Sequence, residues 1–371
     1  MTTERELVRI AMSFTAGIII SAIVASHLPT TSTALATFAL GITAAGTAFL
    51  LHQQQKSLSN NLLYLIITMI FLCLGYFTSD SGRLFSLCNY SNDSSLSAHA
   101  LQLGKGLSSL IENLPFEDRN TNSLINALIT GDRSELSTEI TAAFRQSGGS
   151  HILALSGLHL GIIYGILRWL ISILGNGKSH ITLRAITIIA VCGFYTLATG
   201  ASASITRAFI FISLNEIAIV TGRFRSTGSI LWAALFLQLF FRPESISNVG
   251  FQLSYAAMAG IAYIYPYLKK IWPERNEGIV QKGLKWIWDS AAMSISCQIT
   301  TGPLAWVYFG TFPQYFLLTN LIALPLVGLI IPSSLLIIGL HTCGMCPDIL
   351  VKAVESMICG LKFCLVTIAG L

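Results

Sequence analysis

Apolar runs long enough to cross a bilayer recur along this chain at about 8–27, 33–51, 62–78, 151–174, 183–199, 205–221, 228–241, 249–268, 286–309 and 315–340. A helix needs about 20 such residues to span the hydrocarbon layer. Inside that layer every backbone N–H and C=O must find an internal partner, so open sheets and irregular loops are excluded. The pattern therefore predicts an all-α, polytopic transmembrane helical bundle of about 10–11 spans. Composition agrees, with 53% hydrophobic and only 11% charged residues, against roughly 25% charged in soluble domains. The first run follows Arg5 and Arg9 but lacks a small-residue cleavage site, so it reads as a retained span.

The placement of basic residues orients the bundle. With the N-terminus in the cytoplasm, Lys56, the Lys178–Arg184 pair, Arg223 with Arg225, and the cluster Lys269, Lys270, Arg275, Lys282 and Lys285 all fall inside. The short outer loops near 28–32, 200–204 and 310–314 carry no Lys or Arg. This is the asymmetry expected of a multi-pass inner-membrane protein. The Lys269–Lys285 cluster could attract a polyanion, with anionic lipid and topology as the plainer explanation.

The chain reads as three segments. Residues 1–78 hold three spans. Residues 79–150 form a small extracytoplasmic helical segment, opening with the loop-like SLCNYSNDSSLS. Its helices are expected at about 97–114, 121–130 and 138–147, the second capped by Asn120 or Thr121 and stopped by Gly131, the third capped by Ser137. With eight acids and five bases it is not a phosphate-binding surface. Residues 151–371 complete the bundle. The stretch 349–371 carries Lys352, Glu355, Ser356, Cys359 and Lys362 on one side, so an interfacial amphipathic helix competes with an eleventh span.

Polar groups in apolar helices carry the functional argument. The helix expected from His151 places Gly157, Gly161 and Gly165 in a small-residue stripe suited to close helix packing. Ser156 and His159 share the other face, with His151 within reach. That face either lines a pore or holds a histidine satisfied by a neighbouring helix. Ser156 and His159 stand three residues apart, but a hydrolytic dyad also needs an orienting acid, and nothing ties Asp289 or Glu216 to this helix. No metal site or other cofactor is expected.

Arg207 stands within a turn of the outer end of its span, where it either snorkels to headgroups or meets a phosphate in a cavity. Asn215 and Glu216 form an expensive polar spot facing the bundle. Gln252, Tyr255, Ala259 and Tyr263 fall on one narrow face, suited to base stacking or to aromatic helix packing. Asp289, Ser296 and Thr300 give the next span a polar face. Pro303, Pro325 and Pro332 interrupt helices. The Cys343–Cys346 pair lacks the context of a redox or metal motif.

These motifs resemble the ComEC competence family, bacterial membrane proteins that pass single-stranded DNA inward during natural transformation. The resemblance rests on ALITGDRSELS, AFRQSGGSHILALSGLHLG, TGASASITRAF, VGFQLSYAAMAGI, TTGPLAWVYFG and NLIALPLVGLIIP, in order over about 120–340. It carries over His151, Ser156, Gly157, His159, Gly161, Arg207, Gln252 and Ser254. It implies a membrane channel for DNA uptake; together with the polar and aromatic faces above, the path candidates are His151, Ser156, His159, Arg207, Gln252, Tyr255, Tyr263 and Asp289. Two departures matter. The outer segment is too short for the family's oligonucleotide-binding fold, and no HxHxDH-type cluster of the metallo-β-lactamase-like nuclease domain occurs. The chain is therefore expected not to be an enzyme, with a separate DNA receptor, nuclease and cytoplasmic motor as partners beside single-stranded DNA and membrane lipid. A homo-oligomer stays open. The alternatives are a transporter of a small polar or anionic solute, and a non-transporting scaffold or truncated remnant.

Overall fold

The computed structural model describes residues 2–24, 67–79, 95–153, 156–173, 178–222, 226–272, 278–310 and 314–370. The expected span at 33–51, Lys56 and the Ser/Asn-rich loop lie outside them. Among the described residues every regular element is helical. In chain order these are α1 (Thr2–Val24), α2 (Ile67–Ser79), α3 (Ser95–Glu112), α4 (Arg119–Ile129), α5 (Thr138–Gln146) and α6 (Ser150–Leu153). Then come α7 (Gly157–Ser172), α8 (Lys178–Ala198), α9 (Ala203–Val220), α10 (Thr227–Phe241) and, after a 3-10 turn at Pro243–Ser247, α11 (Val249–Ala259). A π turn at Gly260–Ile264 leads into α12 (Tyr265–Lys269), followed by α13 (Ile279–Phe309), α14 (Phe316–Thr342) and α15 (Asp348–Ala369). Two stretches, His180–Ala198 and Phe316–Thr342, are long and apolar enough to cross a membrane. Shorter apolar helices are α2, α7 and α10.

The chain divides into two compact units. In the first, residues 1–92 with 224–255, α1 and α2 cross where glycines meet backbone. A Cβ on Gly17 would lie 2.0 Å from the Leu72 carbonyl oxygen, and one on Gly75 would lie 2.0 Å from that of Phe14. Hydrogen in place of a side chain is what permits so close a crossing. Phe14 packs edge-on against Phe236 of α10 at 5.0 Å between ring centroids, and Phe71 does so at 5.7 Å.

The second unit holds residues 93–223 and 256–371. One core joins α4 and α5 to α14 and α15, through Ile125, Leu128, Phe144, Val327, Ile330, Ile358 and Leu361. A second core, centred on Leu160, Ile188, Cys192 and Ile205, joins α7, α8 and α9. Asn122 is buried and donates to the carbonyls of Ile111, Glu112 and Leu114, which satisfies the C-terminal end of α3. The N-cap of α4 is Asp118, slightly earlier than the sequence suggested. The third helix begins at Ser137 as expected and ends where Gly148 takes φ +78.

The amphipathic 349–371 segment is helix α15, and protein covers its apolar stripe: Val351, Val354, Ile358, Leu361 and Leu365 are all buried. Its polar edge meets the start of α4. Lys362 Nζ donates to Asp118 Oδ2 at 2.9 Å, and the Glu117 N–H donates to Glu355 Oε1 at 2.6 Å. The Lys362 hydrogen bond, aided by the Asn120 N–H, holds the Asp118 carboxyl below its ordinary range. A depressed carboxyl contributes stability that is present above its unfolded value, about 3.9, and lost as pH falls through the lower folded one. Amide protection in the middle of α15 is therefore expected to weaken below about pH 4. Asp118→Asn should remove this dependence, since asparagine keeps the cap and loses the charge. Asp118 is half exposed, so the effect is expected to stay within about 1 kcal/mol. Unchanged pH-dependence of the protection factors in Asp118→Asn would sink the assignment.

Candidate functional site at the start of α7

The helix expected to run unbroken from His151 does not. α6 stops at Leu153, and α7 starts at Gly157 behind Ser156, whose backbone is extended (φ −120, ψ 172). The Ser156 hydroxyl accepts from the Leu158 N–H at 3.2 Å, and His159 Nδ1 accepts from the Ser156 N–H at 3.2 Å. This is a capping box with histidine in the place that glutamate or glutamine usually fills. Because Nδ1 accepts, the proton of the neutral ring is assigned to Nε2. The ring is 1% exposed, and Nε2 has no hydrogen-bond partner among the described residues. The Ser156 hydroxyl does lie 3.2 Å from Nδ1. That lone pair already serves the backbone N–H, so the pair is built as a cap rather than as a nucleophile and its base.

The cap also sets the rotation of α7. Leu160, Tyr164, Leu167 and Ile171 face the core shared with α8 and α9. The glycine stripe therefore does not pack as expected. Gly161 and Gly165 have open space where a Cβ would stand. Only Gly157 meets a neighbour, with Ala208 Cβ 3.4 Å and Arg207 Nη2 3.6 Å from its absent side chain. Arg207 is 7% exposed, and its Nη2 lies 3.4 Å from Ser204 Oγ. The structure thus assembles Ser156, Gly157, His159 and Arg207 at one place. It leaves His151 out: that side chain is exposed on α6, and Nδ1 sits 3.2 Å from the Gly148 carbonyl oxygen.

The other expected residues are dispersed. In the first unit, Gln252 donates to the Ile246 carbonyl at 2.8 Å, while Tyr255, its ring tilted against Phe251 at 4.6 Å between centroids, donates to Gln238 Oε1 at 3.0 Å. Tyr263 belongs to the second unit. It lies in the π turn, which adds a residue to the helical turn and rotates the residues after it. Asp289 faces Lys269 at 4.0 Å. Ser296 and Thr300 bond to carbonyls of their own helix, beneath Gly260. Among the described residues no cluster of His, Cys, Asp and Glu could hold a metal ion.

Sequence reasoning placed Glu216 in the interior but missed its partners. Glu216 is fully buried on α9. Its Oε1 accepts from the Tyr164 hydroxyl at 2.7 Å and from Arg168 Nη1 at 3.2 Å, and Asn215 Nδ2 donates to the same hydroxyl at 3.2 Å. Arg168 Nη1 also donates to that hydroxyl, and the guanidinium lies 5.8 Å from the Tyr164 ring centroid. The signal was the four-residue spacing of Tyr164 and Arg168, which stacks them on one face.

An all-helical chain of membrane-type composition, with a buried arginine and histidine at one helix start and an acid–arginine pair in the same three-helix group, defines the class. The comparisons narrow it: the family model described as Competence protein matches residues 128–370, and the chain belongs to that family. It is 30% identical over 172 residues to ComE operon protein 3 of Bacillus subtilis (strain 168), covering 46% of this chain and 21% of that protein. It is 28% identical over 207 residues to Competence protein ComA of Neisseria gonorrhoeae, covering 54% and 28% respectively. An uncharacterized protein, YcaI of Escherichia coli (strain K12), is 25% identical over 228 residues, covering 60% and 30%. The chain thus spans between about a fifth and a third of the length of these relatives. No solved structure matches it.

Proposed function

We propose that this chain is the membrane-embedded conduit through which single-stranded DNA crosses the bacterial cytoplasmic membrane in competence. In this reading it is a polytopic bundle of about ten to eleven spans with its N-terminus inside. The observation that carries the reading is the meeting of buried Arg207 with the start of α7 and buried His159, all within the family-matched residues. A cationic side chain enclosed in an apolar bundle is costly and is retained where it serves a charged passenger. A polyanion in transit needs polar contacts that are weak enough to release it. Arg207 supplies the charge and His159 Nε2 a donor. The chain itself cleaves nothing in this account. A DNA receptor, a nuclease and a motor act as separate partners.

The test is uptake of labelled DNA into the cytoplasm of cells lacking the gene, complemented at matched membrane levels. His159→Gln keeps a side chain that completes the capping box, while His159→Ala removes both cap and imidazole. Uptake is expected to fall at least about tenfold in both, which corresponds to roughly 1.4 kcal/mol. Loss in the alanine variant with wild-type uptake in the glutamine variant would reduce His159 to a structural cap. Uptake unaffected by deletion would remove DNA as the cargo and favour a small anionic solute.

A further inference from the structure

Arg168 has a geometry that its role as partner to Glu216 does not exhaust. One nitrogen, Nη1, makes both of its protein hydrogen bonds, to Glu216 Oε1 and to the Tyr164 hydroxyl. Nε and Nη2 make none among the described residues, and the side chain is 41% exposed. The guanidinium is therefore held from within, by a fully buried carboxylate and a tyrosine ring, with donors left over at its open edge. A guanidinium fixed in this way has lost its rotamer freedom before a ligand arrives, and its planar fork matches two oxygens of a phosphate.

The surroundings of that edge narrow the ligand. At 100° per residue, Gly161, Ser172 and Gly165 lie within about 60° of Arg168 on α7, whereas Trp169 and Ile173 lie about 100° and 140° away. The bulky exposed apolar side chains, Trp169 at 65% and Ile173 at 69%, thus occupy a different face. On the arginine's own side the helix carries two glycines, and among the described residues nothing stands within 4 Å of where a Cβ would be on either. An extended, charged backbone can approach there more closely than it could over the tryptophan.

We propose that Arg168 contacts a backbone phosphate of single-stranded nucleic acid, and that Glu216 and Tyr164 are the positioning residues that aim it. This rests on the DNA-conduit reading and adds to it an exposed contact toward the C-terminal end of α7. Glu216 lowers the attraction of Arg168 for anions by neutralising part of its charge. The contact is therefore orienting and releasable, as a transit path requires.

The test uses the full chain in nanodiscs of phosphatidylcholine, with fluorescent oligothymidylate and affinity measured against KCl concentration. The wild type is expected to bind with a negative slope of log affinity on log salt. Arg168→Gln should make that slope shallower by about 0.7, the value for one single-strand phosphate contact, and weaken binding about tenfold, as for one charged hydrogen bond. Arg168→Lys should keep the slope while losing affinity, because the charge stays and the fork is gone. Glu216→Gln frees Arg168 of the neutralising carboxylate, so the slope should not become shallower as it does in Arg168→Gln, a difference that general destabilisation would not produce. Each variant is carried only if its helix content and elution volume match the wild type, and Arg168→Lys serves if Arg168→Gln does not fold. Salt-dependent binding by the wild type with an unchanged slope in Arg168→Gln overturns this assignment alone. No binding by the wild type overturns the conduit reading and the assignment with it. A thermal shift from phosphatidylglycerol that Arg168→Gln abolishes, with oligonucleotide binding intact, would give the guanidinium to a lipid headgroup and overturn the assignment.

Discussion

Phe144→Ala is expected to cost about 4 kcal/mol, the range for an aromatic removed from a core that collapses only in part. Phe144 is completely buried on α5, in the cluster that ties α4 and α5 to α14 and α15. A Cβ added to Gly149 would come within 3.3 Å of its ring, and Thr319, whose hydroxyl donates to the Ser147 carbonyl at 2.6 Å, closes the end of α5 against α14. The ring is thus fully enclosed by the cluster's side chains beside Gly149, and its removal leaves a cavity there. Chemical denaturation of the purified protein in detergent should show the lowered midpoint, and proteolysis should cut first between α4 and α6. A loss below about 1 kcal/mol would mean that the α5 layer is dispensable to the second unit's core.

Gly260→Leu is expected to have an effect at least as large, and for the opposite physical reason. A Cβ at this position would stand 2.3 Å from the Ser296 carbonyl oxygen and 2.7 Å from Thr300 Oγ1. The first obstacle is the backbone of α13, which cannot rotate out of the way as a side chain can. Overpacking ordinarily costs about 1–3 kcal/mol, and a collision with main chain belongs at or beyond the upper end. Gly260 opens the π turn, so the added bulk would also force α13 away from that turn. The expected readout is loss of folded protein from the membrane, with Gly260→Ala intermediate. Wild-type yield and denaturation midpoint in Gly260→Leu would show that α13 does not approach this closely in the membrane.

Phe144 and Gly260 mark where sequence patterning succeeds and where it stops. Gly131 announces the end of α4, and Ser137 announces the start of α5 through its hydroxyl. The stripe in α15 is equally visible, yet its destination is not: a helix face with the same period can lie on lipid or on α4 and α5. The glycine series 157, 161 and 165 suggests a packed seam, but among the described residues only Gly157 meets a neighbour, while Leu160 and Tyr164 face the core. Likewise Glu216 could be assigned to the interior as an expensive group, whereas Tyr164 and Arg168 become its partners only through the crossing of α7 and α9.

By itself, then, the amino-acid order determined that the regular structure is helical, which faces are apolar, where several helices begin, and which polar groups are too costly to be idle. These properties stem from local periodicity, side-chain chemistry and the energy of unpaired backbone in an apolar medium, all of which act over a few residues. Only the tertiary structure decided that α7 starts at Gly157, that Arg207 reaches that start while His151 does not, and that Glu216 holds Arg168 by one nitrogen. Those outcomes depend on how helices rotate and cross, and rotation is set by contacts between residues dozens of positions apart, which no local pattern encodes.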